Sequence, residues 1–113
     1  MKLSKRTVLE FVGEFVATFL LAVVLFTSPI FAGGISPFVV AFAVMALWYM
    51  FSTVSKTHMN PVVSLGEYLV VLVRQLANKK FYWQNLVRFV LYIVVQFLAF
   101  LAAFPLVNWI RTE

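Results

Sequence analysis

The chain has 113 residues, of which 64% are hydrophobic and only 12% charged, with 13 Phe and a mean hydropathy of +1.00. A soluble domain is about 45–50% apolar and about 25% charged, so this chain lacks a polar coat, which excludes a disordered segment, a nucleic-acid-binding arm and an ordinary soluble enzyme. The net charge of +5 comes from basic residues flanking apolar blocks, the pattern of a membrane protein, and with no cysteine there is no disulfide or thiol chemistry.

Crossing the hydrocarbon core takes about 20 mostly apolar residues as helix, because a helix satisfies its own backbone polar groups there. The first span is predicted over residues 7–27, ending at Thr27-Ser28-Pro29. Its basic start, Lys2, Lys5 and Arg6, imitates a cleavable signal peptide, but the length of the run and the presence of Glu10 and Glu14 point to a retained helix. A connection rich in Pro and Gly follows through Gly33 and Gly34, and Pro37 suits the first turn of a second span over 37–54. Ser55-Lys56-Thr57-His58-Met59-Asn60-Pro61 is polar and breaks the helix. The apolar run from Pro61 to Val73 is too short to cross, which reads as a re-entrant half-helix within 55–73. Beyond the basic loop of Arg74, Lys79 and Lys80, a third span is predicted over 84–107. The expected fold is an all-α membrane protein, one domain over 1–113 with three transmembrane helices and one re-entrant half-helix.

If the half-helix returns to its starting side, Lys2, Lys5, Arg6, Lys56, Arg74, Lys79, Lys80 and Arg88 share one face, and only Arg111 lies on the other. The positive-inside rule then places the N-terminus in the cytoplasm of a multi-pass protein of the cell membrane.

Asn is a strong helix cap and Pro tolerates the first helical position, so Asn60-Pro61 starts a helix whose positive dipole end points into whatever lies ahead of it. At mid-membrane depth such an end repels cations, and the Asn60 amide offers a donor to a passing oxygen. A solitary His58 without cysteine or an acidic cluster does not make a metal site, and no cofactor is expected.

Three stretches together resemble the aquaporin and glycerol-facilitator family. The segment Ser55-Lys56-Thr57-His58-Met59-Asn60-Pro61-Val62-Val63-Ser64-Leu65-Gly66 is similar to its first signature loop, with Val62 where Ala is usual. Gly13-Glu14-Phe15-Val16-Ala17-Thr18-Phe19-Leu20 resembles its first helix, and the run from Arg88 to Gln96 its third. The resemblance covers the N-terminal half of the family's inverted repeat, a half-aquaporin. It implies that Asn60 and Pro61 line a pore, that Glu14 and Gln96 support the loop, and that His58 braces it. The family's filter positions correspond to Val40 and Val63, where an aromatic residue and an arginine are expected, so water and glycerol are not distinguished. Ala17 and Ala99, the latter beside Phe100, stand where the family packs helices through glycine, which implies wider crossings. Glu67 is foreign to the pattern, and Arg74 or Arg88 is expected to neutralise it.

A three-helix unit cannot enclose a pore. The resemblance therefore implies a channel subunit for water or small uncharged solutes, with no enzymatic activity, completed by an oppositely oriented half in the lipid bilayer. That half is a second copy, in antiparallel pairs that could gather as an octamer with four pores, or a separate chain. The other two readings are an antiparallel transporter coupled through Glu14 or Glu67 and a non-conducting scaffold subunit.

Overall fold

The computed structural model describes residues 4–112; Lys2, counted above in the charge bias, lies outside them. Every element among the described residues is helical: α1 (Lys5–Ala32), a short 3-10 turn (Gly33–Ile35), α2 (Ser36–Phe51), α3 (Pro61–Ala77) and α4 (Trp83–Thr112).

Ser4 caps α1 by accepting the Thr7 N–H at 3.2 Å. The expected break at Pro29 does not occur, and the helix continues to Ala32. Proline forfeits one backbone hydrogen bond, whereas Gly33 takes φ +57°, a left-handed conformation that ends the helix outright. The chain then turns back within three residues, so α1 and α2 form an antiparallel hairpin. Ser28 and Ser36 bond through their hydroxyls at 2.6 Å near the turn, and Gly13 faces Val54 at the open end. A β-carbon on Gly13 would lie 3.0 Å from Val54 Cγ1, so the backbone approach there requires glycine or a displaced neighbour.

α2 stops at Phe51, three residues short of its expected end, in a turn where Ser55 N–H reaches back to Phe51. Asn60 caps α3 through Oδ1, which accepts the Val62 N–H at 2.8 Å. α3 runs past the expected stop at Val73 to Ala77, because a basic residue such as Arg74 suits a helix C-terminus. It closes with Lys80 N–H on Gln75 O and Lys79 N–H on Leu76 O, the Schellman pattern, with Lys79 at φ +55° in the place glycine usually fills. α4 continues through Pro105 to Thr112, beyond the expected 107.

α1 is the central helix. It runs parallel to α4, since Glu10 meets Arg88 and Glu14 meets Gln96, and α3 runs antiparallel to α4, since Ser64 meets Gln96 and Tyr68 stacks on Phe89. The starts of α1 and α4 and the end of α3 therefore share one end of the molecule. Lys5, Arg6, Arg74, Lys79, Lys80 and Arg88 gather there, with Arg111 at the opposite end.

The polarity of the packing is inverted relative to a soluble domain. Glu10, Glu14, Thr18, Ser64 and Gln96 are buried, alongside small residues such as Gly13, Ala17, Ala22, Ala99 and Ala103. Large apolar side chains face outward, Phe38, Phe42, Tyr49, Leu101 and Phe104 each being about two-thirds exposed or more. Soluble monomers do not expose apolar surface on this scale, whereas helices packing in lipid bring small and polar residues together. Two helical stretches are long and apolar enough to cross a bilayer, Lys5–Phe51 (the hairpin) and Trp83–Thr112.

Candidate functional site

The loop from Ser52 to Asn60 leaves the end of α2, enters the bundle and delivers the N-terminus of α3 midway along α1 and α4. Met59 at its tip is buried against Ala17, Leu21 and Leu47. Thr57 and Met59 adopt φ +53° and +59°, left-handed conformations that cost a non-glycine residue about 1–2 kcal/mol each. Something must over-determine that shape, and Glu14 does.

Glu14 is completely buried and accepts four hydrogen bonds. Its Oε1 accepts from the Met59 N–H at 2.5 Å and from Gln96 Nε2 at 3.1 Å. Its Oε2 accepts from the His58 N–H at 3.1 Å and from Ser55 Oγ at 3.4 Å. Successive N–H groups in a kinked backbone form an anion-binding nest, here filled by the protein's own carboxylate. Gln96 spends both amide hydrogens on Glu14 and on Ser64 Oγ (2.8 Å), which leaves its buried Oε1 without a partner.

The network continues from Ser64 to the charged groups. Ser64 Oγ accepts from Gln96 and is also hydrogen-bonded to His58 Nδ1 at 2.8 Å, and His58 Nε2 donates to the Glu67 carboxylate. The imidazole side chain is 8% exposed and lies against the Tyr92 ring, with centroids 4.7 Å apart. Glu67 also pairs with the Lys56 ammonium. The expected neutralisers are thus replaced. Arg74 sits seven residues along α3, roughly 10 Å away along the helix axis, and Arg88 is engaged elsewhere.

Arg88 forms an ion pair with Glu10, which also accepts the Tyr92 hydroxyl at 2.6 Å; that phenol oxygen in turn accepts the Lys56 N–H at 3.2 Å. This second cluster, together with Ser55 and Ser64, was not singled out above. A signal for it exists in the sequence. Glu10, Glu14 and Thr18 recur every fourth residue on α1, and Arg88, Tyr92 and Gln96 do so on α4, so each set forms one polar stripe.

An open groove of about 740 Å³ lies between α2 and the loop with α3. Met45, Trp48 and Tyr49 line one side; His58, Val63 and Glu67 line the other. Asn60, Pro61 and Val62 do not line this groove: Asn60 and Val62 are exposed, Val62 by 73%, and Val62 and the half-buried Pro61 border a separate apolar pocket with Phe89 and Ile93 of α4. With Oδ1 of Asn60 occupied by capping, its Nδ2 is the donor left for the surface. Val40 stands apart from the groove: it is half-buried and packs against the Ala17, Leu21, Leu47 and Met59 cluster, so the structure does not pair it with Val63. A small cavity of about 50 Å³, with both polar residues (His58, Ser64, Glu67, Arg88) and apolar ones (Val71, Phe89) in its wall, lies behind the groove between α3 and α4. It has room for a few water molecules.

Comparison with known proteins finds no matching family, no similar curated protein and no similar solved structure.

Proposed function

We propose that this chain is one half of a membrane channel for water or small uncharged solutes, with the pore completed by a second, oppositely oriented half. The observation that carries the reading is the N-terminus of α3, held halfway along α1 and α4 by Glu14 and bordering an open groove. In this reading α1, α2 and α4 span the bilayer, α3 is the re-entrant half-helix, and the fold is one repeat of the aquaporin type that the signature loop resembles. The basic end lies in the cytoplasm of a cell-membrane protein.

The physics of the groove supports this placement. Lys56 and Glu67 border it with side chains 49% and 38% exposed, and charged groups so placed are costly against acyl chains. Water and a polar partner satisfy them. An antiparallel second copy supplies both, bringing two α3 N-termini together so that their dipoles bar cations while Asn60 amides guide solute oxygens. The uneven basic charge favours one insertion direction, so the competing partner is a separate chain of opposite bias.

Stopped-flow light scattering of proteoliposomes containing only this protein tests the reading under water and glycerol gradients. Flux well above that of empty liposomes is expected. Asn60→Asp, which keeps the cap but sets a carboxylate at the α3 N-terminus, is expected to change it by about tenfold, equivalent to about 1.4 kcal/mol. Flux no faster than in empty liposomes, from protein shown to be folded and inserted, refutes a channel assembled from this chain alone.

A further inference from the structure

We infer that Lys56 and Glu67 form a charge lock that makes the groove tight to ions, Glu67 cancelling Lys56 so that neither sign of ion finds a counter-charge there; the inference rests on the channel reading above. Among the described residues lining the groove, these two carry the only full charges besides the titratable His58. They come from different elements, Lys56 from the loop and Glu67 two turns into α3, and meet directly across the groove's edge. Neither is replaceable within the site: Arg88 is committed to Glu10, and Tyr92 holds the Lys56 backbone in place.

The remaining wall of the groove is apolar, with Met45, Trp48 and Val63 prominent. A narrow passage with low-dielectric walls focuses the field of any uncompensated charge within it. With Val63 offering no charge, the balance of this pair adds to the α3 dipoles, which already disfavour cations, in setting the groove's selectivity against ions. His58 couples the lock to the loop, because its Nε2 donates to Glu67 while its own N–H holds Glu14. The ligand class excluded is the small inorganic ion, and the sign admitted depends on which partner is removed.

The experiment measures chloride entry with a trapped chloride-quenched dye and potassium entry with a potassium-sensitive dye in proteoliposomes, each divided by osmotic water flux in the same preparation. Wild type is expected to conduct water and neither ion. Glu67→Gln, which leaves Lys56 uncompensated, is expected to raise the chloride-to-water ratio by about tenfold or more while potassium stays excluded. Lys56→Met, which leaves Glu67 with His58 alone, is expected to raise the potassium-to-water ratio while chloride stays excluded. The rise is expected to be smaller than the chloride effect because the α3 dipoles still oppose cations, and the double variant K56M/E67Q is expected to be tight again. A leak from poor folding passes both ions, so opposite signs in the two single variants distinguish a charge lock from damage. Should one variant fail to insert, the sign of the other decides. Single variants that conduct water yet remain tight, or that leak both ions alike, overturn the inference. Wild type that conducts no water instead refutes the channel reading itself.

Discussion

Replacing Glu14 by Gln tests whether one buried carboxylate holds the loop. The substitution preserves shape but turns one acceptor oxygen into a donor NH2 group. Whichever oxygen is lost, two donors are left facing that group: either Met59 N–H and Gln96, or His58 N–H and Ser55. Hydrogen bonds to a charged acceptor contribute about 1.5–3 kcal/mol each, so two of them come to about 3–6 kcal/mol. Removing the desolvation cost of the buried charge offsets part of this, leaving a net destabilisation of about 2–4 kcal/mol. The strain at Thr57 and Met59 then acts unopposed, and the loop opens locally. Hydrogen exchange in detergent micelles or nanodiscs is the direct assay: the His58 and Met59 amides are expected to lose protection by about thirty- to several-hundred-fold in Glu14→Gln. Amides in the middle of α4 should change far less. Unaltered protection at His58 and Met59, in protein that retains its helix content, would refute the claim that Glu14 determines the loop's shape.

Two further substitutions probe the frame around the site. Arg88→Met strands the buried Glu10 carboxylate with only the Tyr92 hydroxyl, and is expected to cost about 2–3 kcal/mol in reversible unfolding in detergent. The double change E10Q/R88M should recover most of that loss, and a double variant no better than the single would argue against direct pairing. Lys79→Gly relieves the left-handed strain at the end of α3 and is expected to stabilise by about 0.5–1 kcal/mol, read as a rise in melting temperature.

The start of α3 is legible because Asn60 and Pro61 act locally, one by capping and the other by lacking an N–H. The ends of α1 and α3 are harder, because they depend on competition between signals. Pro29 looks like a stop, yet the helix absorbs its lost hydrogen bond and the ring's clash with the preceding turn, and the decisive break is the positive φ of Gly33. Arg74 likewise looks like the edge of an apolar run, although a cation at a helix C-terminus is favourable and the helix extends beyond it. The partners of Glu67 are less legible still. Lys56 and His58 reach it only because the loop folds back over α3, a tertiary event that no spacing along one helix encodes. The four-residue ladders on α1 and α4 are visible as stripes, but their mutual register is set by the parallel packing of two helices far apart in the chain. The packing of Val40 is likewise not legible: the resemblance marks it only as a filter position, and its contact with the cluster of Ala17, Leu21, Leu47 and Met59 is a tertiary fact.

The ladder between α1 and α4 also has a consequence for biogenesis. Glu10 and Arg88 lie 78 positions apart, and Glu14 and Gln96 lie 82 apart. During synthesis α1 is made long before the helix that supplies those partners, so Glu10 waits for Arg88 and Tyr92, and Glu14 for the last of its four donors. Completion of α4 is therefore the step that closes both ladders. A nascent chain interrupted after α3 already has the loop donors Ser55, His58 and Met59 for Glu14, and it is Glu10 whose partners, Arg88 and Tyr92, are still to be made.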